Sequence, residues 1–382
     1  MESKILEIIE RNISTLTGLS DYERSVFQKI LNCRSEVVPN LYSSCDSCGK
    51  IHPVYKSCKN RMCPICNGSG TVKWIAKRES ELLPTSYFLL TYTIPSELRP
   101  LFLSNKKLCY NLLFKAMSQT LIKGVESNNR VFHGKAGFFT VLHTWDQRLN
   151  FHPHLHVVIP SGCLSEDKTE WNPSHPAFLL TAPVIKLSAA FRDKLLFLLR
   201  KEKREGTLTT PEKIGNLKLL LEKLQQIPWV VHSQAPGDGK NNPQQMIRYL
   251  SRYVNKTAVS DKRIRKLENG NVYLSYIDRK SKTGKVEIIS EELFLRRLIL
   301  HILPKGFKKI RFYGFMANRC RKNMLSLCRM LLGIPLSQQV EVTEDLNDIA
   351  FLFWKYFRID ITLCSACGKG HISYVKINKG GG

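Results

Sequence analysis

Apolar positions along this chain repeat with a helical period in some segments and with a strand period in others. Near the amino terminus Ile5, Ile8 and Ile9 share one helical face, so residues 1–32 are predicted to form one or two amphipathic helices. The apolar run from Tyr87 to Ile94 ends at a proline and predicts a strand. These two periods divide the chain into elements without reference to any chemistry.

The order of the predicted elements favours one class of fold. Strand, helix, strand and strand follow one another between residues 87 and 159, which fits an antiparallel sheet with helices on one face, an α+β architecture. Further on we predict helices over 187–204 and 211–226, a short strand at 229–232, a helix from Pro243, a hairpin at Asn269–Gly270, a helix from 291, a strand over 307–314 and a basic helix over 316–332.

The charge balance restricts the partners of the protein. The 382 residues include 58 Lys and Arg against 32 Asp and Glu, a formal net charge of +26. Such a surplus repels itself unless it meets a polyanion, and nucleic acid is the usual one. An anionic membrane is the alternative, but no basic amphipathic helix or apolar run of about 18 residues supports it. Because the amino terminus also lacks a signal-peptide pattern, we expect a cytoplasmic, nucleoid-associated protein.

Cysteine spacing predicts a metal site. In a cytoplasmic chain, the 12 cysteines are better explained as metal ligands than as disulfides. Cys45 and Cys48 form one Cys-x-x-Cys pair, and after fourteen residues Cys63 and Cys66 form another. Two such pairs can surround one tetrahedral Zn²⁺ with four thiolates, so we predict a structural zinc site there.

Two further cysteines and a histidine lie near this site. Cys33, Cys58 and His52 could form a second partial site, but free thiols and a solvated imidazole explain them more simply.

A third Cys-x-x-Cys pair lies near the carboxyl end, at Cys364 and Cys367. Cys320 and Cys328 could complete a second four-cysteine zinc site with it. Two cysteines eight residues apart on a helix do not converge well, which weakens that assignment.

A histidine pair lies on a predicted strand. His154 and His156 are two residues apart and therefore point to the same face of the sheet, where they could bind one divalent metal. His143 or Gln147, on a strand expected to pair with this one through a turn near Asn150, could supply a third ligand. Two surface histidines are the alternative explanation.

Two tyrosines share a face of the helix that begins near Pro243. Tyr249 and Tyr253 are four residues apart, and Arg248, Arg252 and Lys256 lie on the same turns. Half-buried packing is the ordinary role of such a tyrosine pair. A tyrosine that attacks a phosphodiester, however, needs nearby positive charge and a metal. A basic patch suited to phosphates follows at Lys262, Arg263 and Arg265.

Four segments together resemble the HUH nuclease superfamily and, within it, the rolling-circle transposases of the insertion sequence 91 family. They are SCKNRMCPIC, LHTWDQRLNFHPHLHVVIPSG, IRYLSRYVNKTAVSDKRI and LPKGFKKIRFYGFMANR, and the similarity extends from about Cys45 to Asn318. Two positions depart from the family pattern: Asp146 replaces an expected glycine, and Met62 replaces a histidine beside the cysteines.

The resemblance implies a fold and a reaction. The fold would be an HUH nuclease, a ferredoxin-like antiparallel sheet with helices, preceded by a four-cysteine zinc-binding domain and followed by a helical region that could bind zinc. His154 and His156, with His143 or Gln147, would hold Mg²⁺ or Mn²⁺. Tyr249 and Tyr253 would take turns as nucleophiles, each forming a 5′-phosphotyrosine on single-stranded DNA at transposon ends and target sites.

This interpretation predicts three domains. Residues 1–83 would form the amino-terminal helices and zinc-binding domain, residues 84–285 the catalytic domain with a helical insertion at about 165–228, and residues 286–382 a basic carboxy-terminal region.

Two other functions compete with this one. A rolling-circle replication initiator or relaxase would use the same chemistry. A non-catalytic zinc-ribbon regulator that binds DNA would explain the charge and the cysteines, but it leaves the histidine pair and the tyrosine helix unexplained.

Overall fold

The protein divides into two compact units, each assembled from segments separated in sequence. The computed structural model describes residues 3–35, 41–126, 134–174, 179, 182–234, 242–254, 258–278, 281–335 and 348–375. The cysteine unit comprises Met1–Ser80, Ser251–Ile299 and Glu341–Gly382, and the histidine unit comprises Glu81–Leu250 and Leu300–Val340. The predicted division into three domains stays a prediction.

Helices and strands alternate along the described ranges. The helices are α1 (Lys4–Asn12), α2 (Asp21–Leu31), α3 (Gly68–Ser80), α4 (Arg99–Ser104), α5 (Lys106–Glu126), α6 (Ala182–Arg204), α7 (Leu217–Gln226), α8 (Pro243–Val254), α9 (Glu291–Ile299), α10 (Arg321–Leu331) and α11 (Ile349–Phe357). The strands are β1 (Leu41–Cys45), β2 (Ile51–Val54), β3 (Tyr87–Thr93), β4 (Gly137–Trp145), β5 (Phe151–Pro160), β6 (Gly162–Leu164), β7 (Trp171–Pro173), β8 (Val231–Gln234), β9 (Ile264–Glu268), β10 (Asn271–Ile277), β11 (Gly284–Ser290), β12 (Ile310–Gly314) and β13 (Ile372–Val375). Within these ranges, no helix has the length and apolar content needed to cross a bilayer.

A five-stranded antiparallel sheet forms the centre of the histidine unit. Its order is β12-β4-β5-β3-β8, so β5 is the middle strand. Leu155, Val157 and Ile159 of β5 lie in one apolar core with residues of α5 and α6. The intervening His154 and His156 therefore point to the opposite face. The predicted antiparallel sheet, with an apolar helix-covered face, is present, and the architecture is mixed α/β.

Three helix boundaries differ from the predicted ones, and at two of them an asparagine side chain hydrogen-bonds to the helix backbone. The single helix expected between the first two strands is interrupted at Asn105, whose side-chain amide donates to the carbonyl of Leu101 at 3.0 Å. The helix expected from 211 begins at Leu217, because the Asn216 side chain accepts from the Leu219 amide at 3.2 Å and caps its first turn. The basic helix expected from 316 begins at Arg321.

The cysteine unit contains two three-stranded sheets, β13-β1-β2 and β11-β10-β9. The predicted hairpin at Asn269–Gly270 joins β9 to β10, and β11 extends it. Asp261 holds the start of α1, since its carboxylate accepts from the Ser3 hydroxyl and the Ile5 amide at 2.9 Å each. Helices α3 and α11 pack through Val72 and Leu352.

Candidate functional site

Three histidines of the histidine unit form one cluster. His143 on β4 pairs across the strands with His154 on β5, and His156 lies two residues further along β5. All three side chains are buried, and their ligand atoms lie within 4.8 Å of one another. The three nitrogens can therefore converge on a single ion.

Hydrogen bonds orient two of these imidazoles. Nδ1 of His154 donates to the carbonyl of His152 at 2.7 Å, which leaves Nε2 of His154 as the acceptor nitrogen, 2.8 Å from Nδ1 of His143. Nδ1 of His156 lies 3.1 Å from the hydroxyl of Thr91 on the neighbouring β3. Such outer contacts fix ring orientation before a metal binds.

Burial keeps two of the three imidazoles neutral. Desolvation lowers the pKa of His143 well below its ordinary value, and the nearby His154 and His156 lower it further. Desolvation also lowers the pKa of His156 to about 4. Neutral imidazole is the form that binds metal, so His143 and His156 are available as ligands at neutral pH.

The turn after β4 is closed by Asp146. Its carboxylate accepts from the amides of Arg148 at 2.8 Å and Asn150 at 2.9 Å, and from the Asn150 side chain at 3.0 Å. A glycine here could accept none of these bonds, so the departure from the family pattern strengthens the turn.

His301 makes hydrogen bonds to residues on both sides of the same turn. Its Nε2 donates to the carbonyl of Leu149 at 3.1 Å, and its Nδ1 accepts from the hydroxyl of Thr144 at 3.2 Å. The imidazole is fully buried, and desolvation lowers its pKa to about 4. His301 was not among the predicted site residues, because nothing in its local sequence indicates a partner more than 150 residues away.

Gln147 lies in the turn that follows β4. Strand β4 ends at Trp145, so Gln147 falls in the exposed part of the turn rather than on the strand. His143 lies beside His154 and His156. The choice between His143 and Gln147 as the third metal ligand stays a prediction.

Tyr249 approaches the histidine cluster from α8. Its ring centroid lies 5.9 Å from that of His156 at an interplanar angle of 86°, and the side chain is 38% exposed. The phenol thus borders both the cluster and solvent. Tyr253 follows one turn later on α8, but its side chain lies outside the described residues.

The predicted DNA-contacting residues occupy different elements. Arg248 is exposed on α8 next to Tyr249, and the Arg252 side chain and Lys256 lie outside the described residues. In the cysteine unit Lys262 and Arg265 are exposed, whereas Arg263 is half-buried and donates to the carbonyl of Ser275 at 3.0 Å.

The cysteine unit contains a four-cysteine cluster near its amino end. It is formed by Cys33, Cys58, Cys63 and Cys66, whose sulfurs lie within 4.8 Å of one another. Cys58 Sγ and Cys66 Sγ are 3.6 Å apart. Cys33 and Cys58 were expected to be free thiols, and that expectation is wrong.

The predicted grouping of zinc ligands is also corrected. Cys45 and Cys48 do not join Cys63 and Cys66 in one site, because β1 and its following turn carry them to a second cluster. Their partners there are Cys364 and Cys367.

Neither Cys320 nor Cys328, expected to complete a site with that carboxy-terminal pair, belongs to either cluster. Cys328 is buried on α10, and the thiol of Cys320 lies 3.7 Å from the carbonyl of Phe315.

Comparison with known proteins identifies the class of molecule. Residues 137–324 match a family model described as "Putative transposase", and residues 5–94 match one described as "Transposase zinc-binding domain". The chain is 35% identical over 379 residues to "Putative transposase y4qJ" of Sinorhizobium fredii, which covers 95% of this chain and 92% of the relative. It is 28% identical over 315 residues to the transposase for insertion sequence element IS801 of Pseudomonas savastanoi pv. phaseolicola, which covers 79% and 72%.

The matched regions contain the histidine cluster and the amino-terminal cysteine cluster, so the molecule is a DNA-processing enzyme with a structural zinc-binding module. The chain belongs to the insertion sequence 91 family of transposases. The family resemblance expected from the four sequence segments is confirmed.

Proposed function

We propose that this transposase has an HUH nuclease fold, nicks single-stranded DNA and transfers strands through a covalent 5′-phosphotyrosine, as a rolling-circle element requires. The observation that carries the proposal is the position of Tyr249, whose ring lies 5.9 Å from His156 at the edge of the three-histidine cluster. A nucleophile beside a metal-binding cluster is the arrangement that phosphodiester attack needs.

The donor set fits a divalent cation. His143, His154 and His156 would hold it through three neutral imidazole nitrogens, and it would polarise a non-bridging oxygen of the scissile phosphate. Imidazole suits the transition metals better than Mg²⁺, which prefers oxygen ligands. We therefore expect Mn²⁺ to support more activity than Mg²⁺.

The reaction conserves the energy of the bond that it breaks. The phenol oxygen attacks phosphorus, the bond from phosphorus to the 3′-oxygen breaks, and that oxygen leaves as a 3′-hydroxyl after taking up a proton. The 5′-phosphate stays esterified to the tyrosine. A 3′-hydroxyl from another strand can reverse the step, so no external energy source is required.

Charged residues of α8 would assist the tyrosine. The ordinary pKa of a phenol is near 10, so phenolate formation at neutral pH needs nearby positive charge. Arg248 is exposed beside Tyr249 and can contact the DNA backbone. Arg252 and Lys256, together with Lys262, Arg263 and Arg265, are proposed to contribute further phosphate contacts.

The two tyrosines are proposed to act in turn. Residues four apart on a helix are separated by about 6 Å along its axis, and in-line attack tolerates a smaller error than that. Only one phenol is therefore aligned at a time. Two sequential nucleophiles would allow the two ends of an element to be processed without release of the first.

Covalent capture of DNA tests the proposal. Wild-type protein incubated with a labelled single-stranded transposon-end oligonucleotide and Mn²⁺ should form an adduct that survives denaturation, and peptide mapping should place it on Tyr249 or Tyr253. The Tyr249→Phe, Tyr253→Phe double variant should form none. Tyr22→Phe is the matched control, since Tyr22 is 39% exposed on α2 and Tyr249 is 38% exposed on α8.

Two results would contradict the proposal. An adduct of normal yield on a different residue would remove both tyrosines from the chemistry. Cleavage without any adduct would replace the tyrosine with water as the nucleophile.

A further inference from the structure

The cluster of Cys45, Cys48, Cys364 and Cys367 joins the two ends of the chain within the cysteine unit. Only its first two cysteines fall inside residues 5–94, the region that matches the zinc-binding family model. We propose that these four thiolates bind a second structural Zn²⁺, which fastens the carboxy-terminal segment to the amino-terminal module. This inference does not depend on the nuclease mechanism proposed above.

The sulfur positions match tetrahedral zinc. Cys45 Sγ and Cys367 Sγ are 3.8 Å apart, and Cys48 Sγ and Cys364 Sγ are 3.9 Å apart. Four sulfurs at a Zn–S distance of about 2.3 Å in tetrahedral geometry lie about 3.8 Å from one another. A disulfide would need a sulfur separation of about 2.05 Å, so the observed spacing corresponds to ligands around an ion.

The two Cys-x-x-Cys turns have the same backbone geometry. The amide of Gly49 donates to the carbonyl of Cys45 at 3.0 Å, and the amide of Gly368 donates to the carbonyl of Cys364 at 2.9 Å. The two glycines have φ values of 66° and 67°, which a side chain would strain. Two copies of one turn thus face each other and contribute two thiols each.

Amide groups and an imidazole surround the sulfurs. The amide of Cys48 donates to Cys45 Sγ at 3.5 Å, and the amide of Gly370 donates to Cys367 Sγ at 3.4 Å. Nε2 of His52 lies 3.4 Å from Cys364 Sγ. Hydrogen bonds to ligand atoms stabilise thiolates and orient them toward a metal.

Strand pairing holds the two turns together from outside the cluster. Strand β13 pairs with β1 from Tyr42↔Val375 to Cys45↔Ile372. The amide of His371 donates to the Asp46 carboxylate at 2.8 Å, and the amide of Asp46 donates to the carbonyl of His371 at 3.1 Å. A Cβ at Gly370 would meet Cys45 Sγ at 2.5 Å, so glycine permits the close approach. The site is therefore built by the fold and does not rest on sulfur proximity alone.

Zinc content of the purified full-length chain tests the proposal. Wild-type protein should contain two Zn²⁺ per chain by elemental mass spectrometry. Both the Cys364→Ser, Cys367→Ser variant and the Cys63→Ser, Cys66→Ser variant should contain one. Cys320→Ser is the matched control, because Cys320 is a half-buried cysteine outside both clusters, and it should retain two. One Zn²⁺ in the wild type, or two in the Cys364→Ser, Cys367→Ser variant, would overturn the proposal.

Thiol labelling of the wild type gives a second measurement that no folding defect can obscure. In the zinc-loaded chain, Cys45, Cys48, Cys364 and Cys367 should resist alkylation. As a chelator removes one ion, these four should become labelled together in the same molecules, separately from Cys33, Cys58, Cys63 and Cys66. Rapid labelling of Cys364 and Cys367 in the fully loaded chain, or their labelling independently of Cys45 and Cys48, would show that no shared ion exists.

Discussion

At the scale of single residues, the histidine site is defined by what surrounds each imidazole. His154 donates to a backbone carbonyl two residues away, and His156 contacts a threonine on the next strand. His143 is the third member, since β4 pairs with β5 at that position. The sequence left His143 and Gln147 as alternatives because the apolar spacing alone did not predict the residue at which strand β4 ends.

Substitution of His143 and of Gln147 tests which of these two candidates is the third metal ligand. His143→Ala should lower Mn²⁺-dependent nicking by about 10²-fold or more, because one of three buried nitrogen ligands is lost. Gln147→Ala should change the rate by less than about threefold, because its side chain is exposed in the turn. Initial rates on a short single-stranded oligonucleotide measure both effects. DNA affinity in the absence of metal is the control, and it should be similar in the two variants. Equal, mild losses would leave the third ligand position without a protein side chain.

The buried His301 predicts a specific acid sensitivity. Its pKa is about 4 in the folded protein and about 6.5 in the unfolded chain, so below pH 6.5 the unfolded state binds a proton that the folded state does not. Its contribution to stability is complete above pH 6.5 and decreases as the pH falls toward 4, by about 1.4 kcal/mol per pH unit.

Thermal unfolding measured between pH 7 and pH 4.5 tests this effect. His301→Gln should be less stable than wild type at pH 7, but it should lose less stability as the pH falls. His232→Gln is the control, because His232 is exposed on β8, and it should follow the wild-type profile. An unchanged slope for His301→Gln would assign the acid sensitivity to other groups.

At the scale of elements, local sequence patterns predicted the central strands but did not predict how the cysteines are grouped. The apolar runs and the alternation of histidines with aliphatic residues identified β3, β5 and the face on which His154 and His156 lie. The cysteine groupings depend on β1 pairing with β13 and on Cys33 returning to the loop that contains Cys58. Two Cys-x-x-Cys pairs that are close in sequence can belong to different clusters. The pairing of strands that are distant in sequence determines which cluster each pair joins.

The end of β12 provides a test of strand packing. Gly314 has φ of 59°, and a Cβ there would lie 1.7 Å from the carbonyl oxygen of Ala136. Gly314→Ala should therefore destabilise the histidine unit by roughly 3 kcal/mol or more, a decrease of about 6–12 °C in its melting temperature.

Gly333→Ala separates the steric clash from the backbone strain. Gly333 has φ of 85°, but a Cβ added there would have no atom within 4 Å, so this variant should lose only about 1 kcal/mol. Comparable melting temperatures for the two variants would mean that β12 shifts to accommodate the methyl group.

At the scale of the whole molecule, the two units are interleaved along the chain. The polypeptide passes from the cysteine unit to the histidine unit and back twice, so that neither unit is a continuous segment. Composition indicates the last of these crossings, because residues 301–330 contain eight Lys and Arg and no Asp or Glu, whereas residues 341–354 contain four Asp and Glu and no Lys or Arg. The charge of +26 follows from composition alone and agrees with a DNA-processing enzyme.

During synthesis of the chain, β1 cannot pair with β13 until β13 has been translated. Cys48 leaves the ribosome 316 residues before Cys364, and at about 5–20 residues per second this interval is roughly 15–60 s. During that time β1 has β2 beside it but lacks the strand that will occupy its other edge. A chain interrupted before its last thirty or so residues would contain the histidine cluster and both tyrosines while its amino-terminal sheet remained open. Strand β13 therefore distinguishes a chain in which both edges of β1 are paired from a shorter fragment that carries the same histidine cluster and tyrosines.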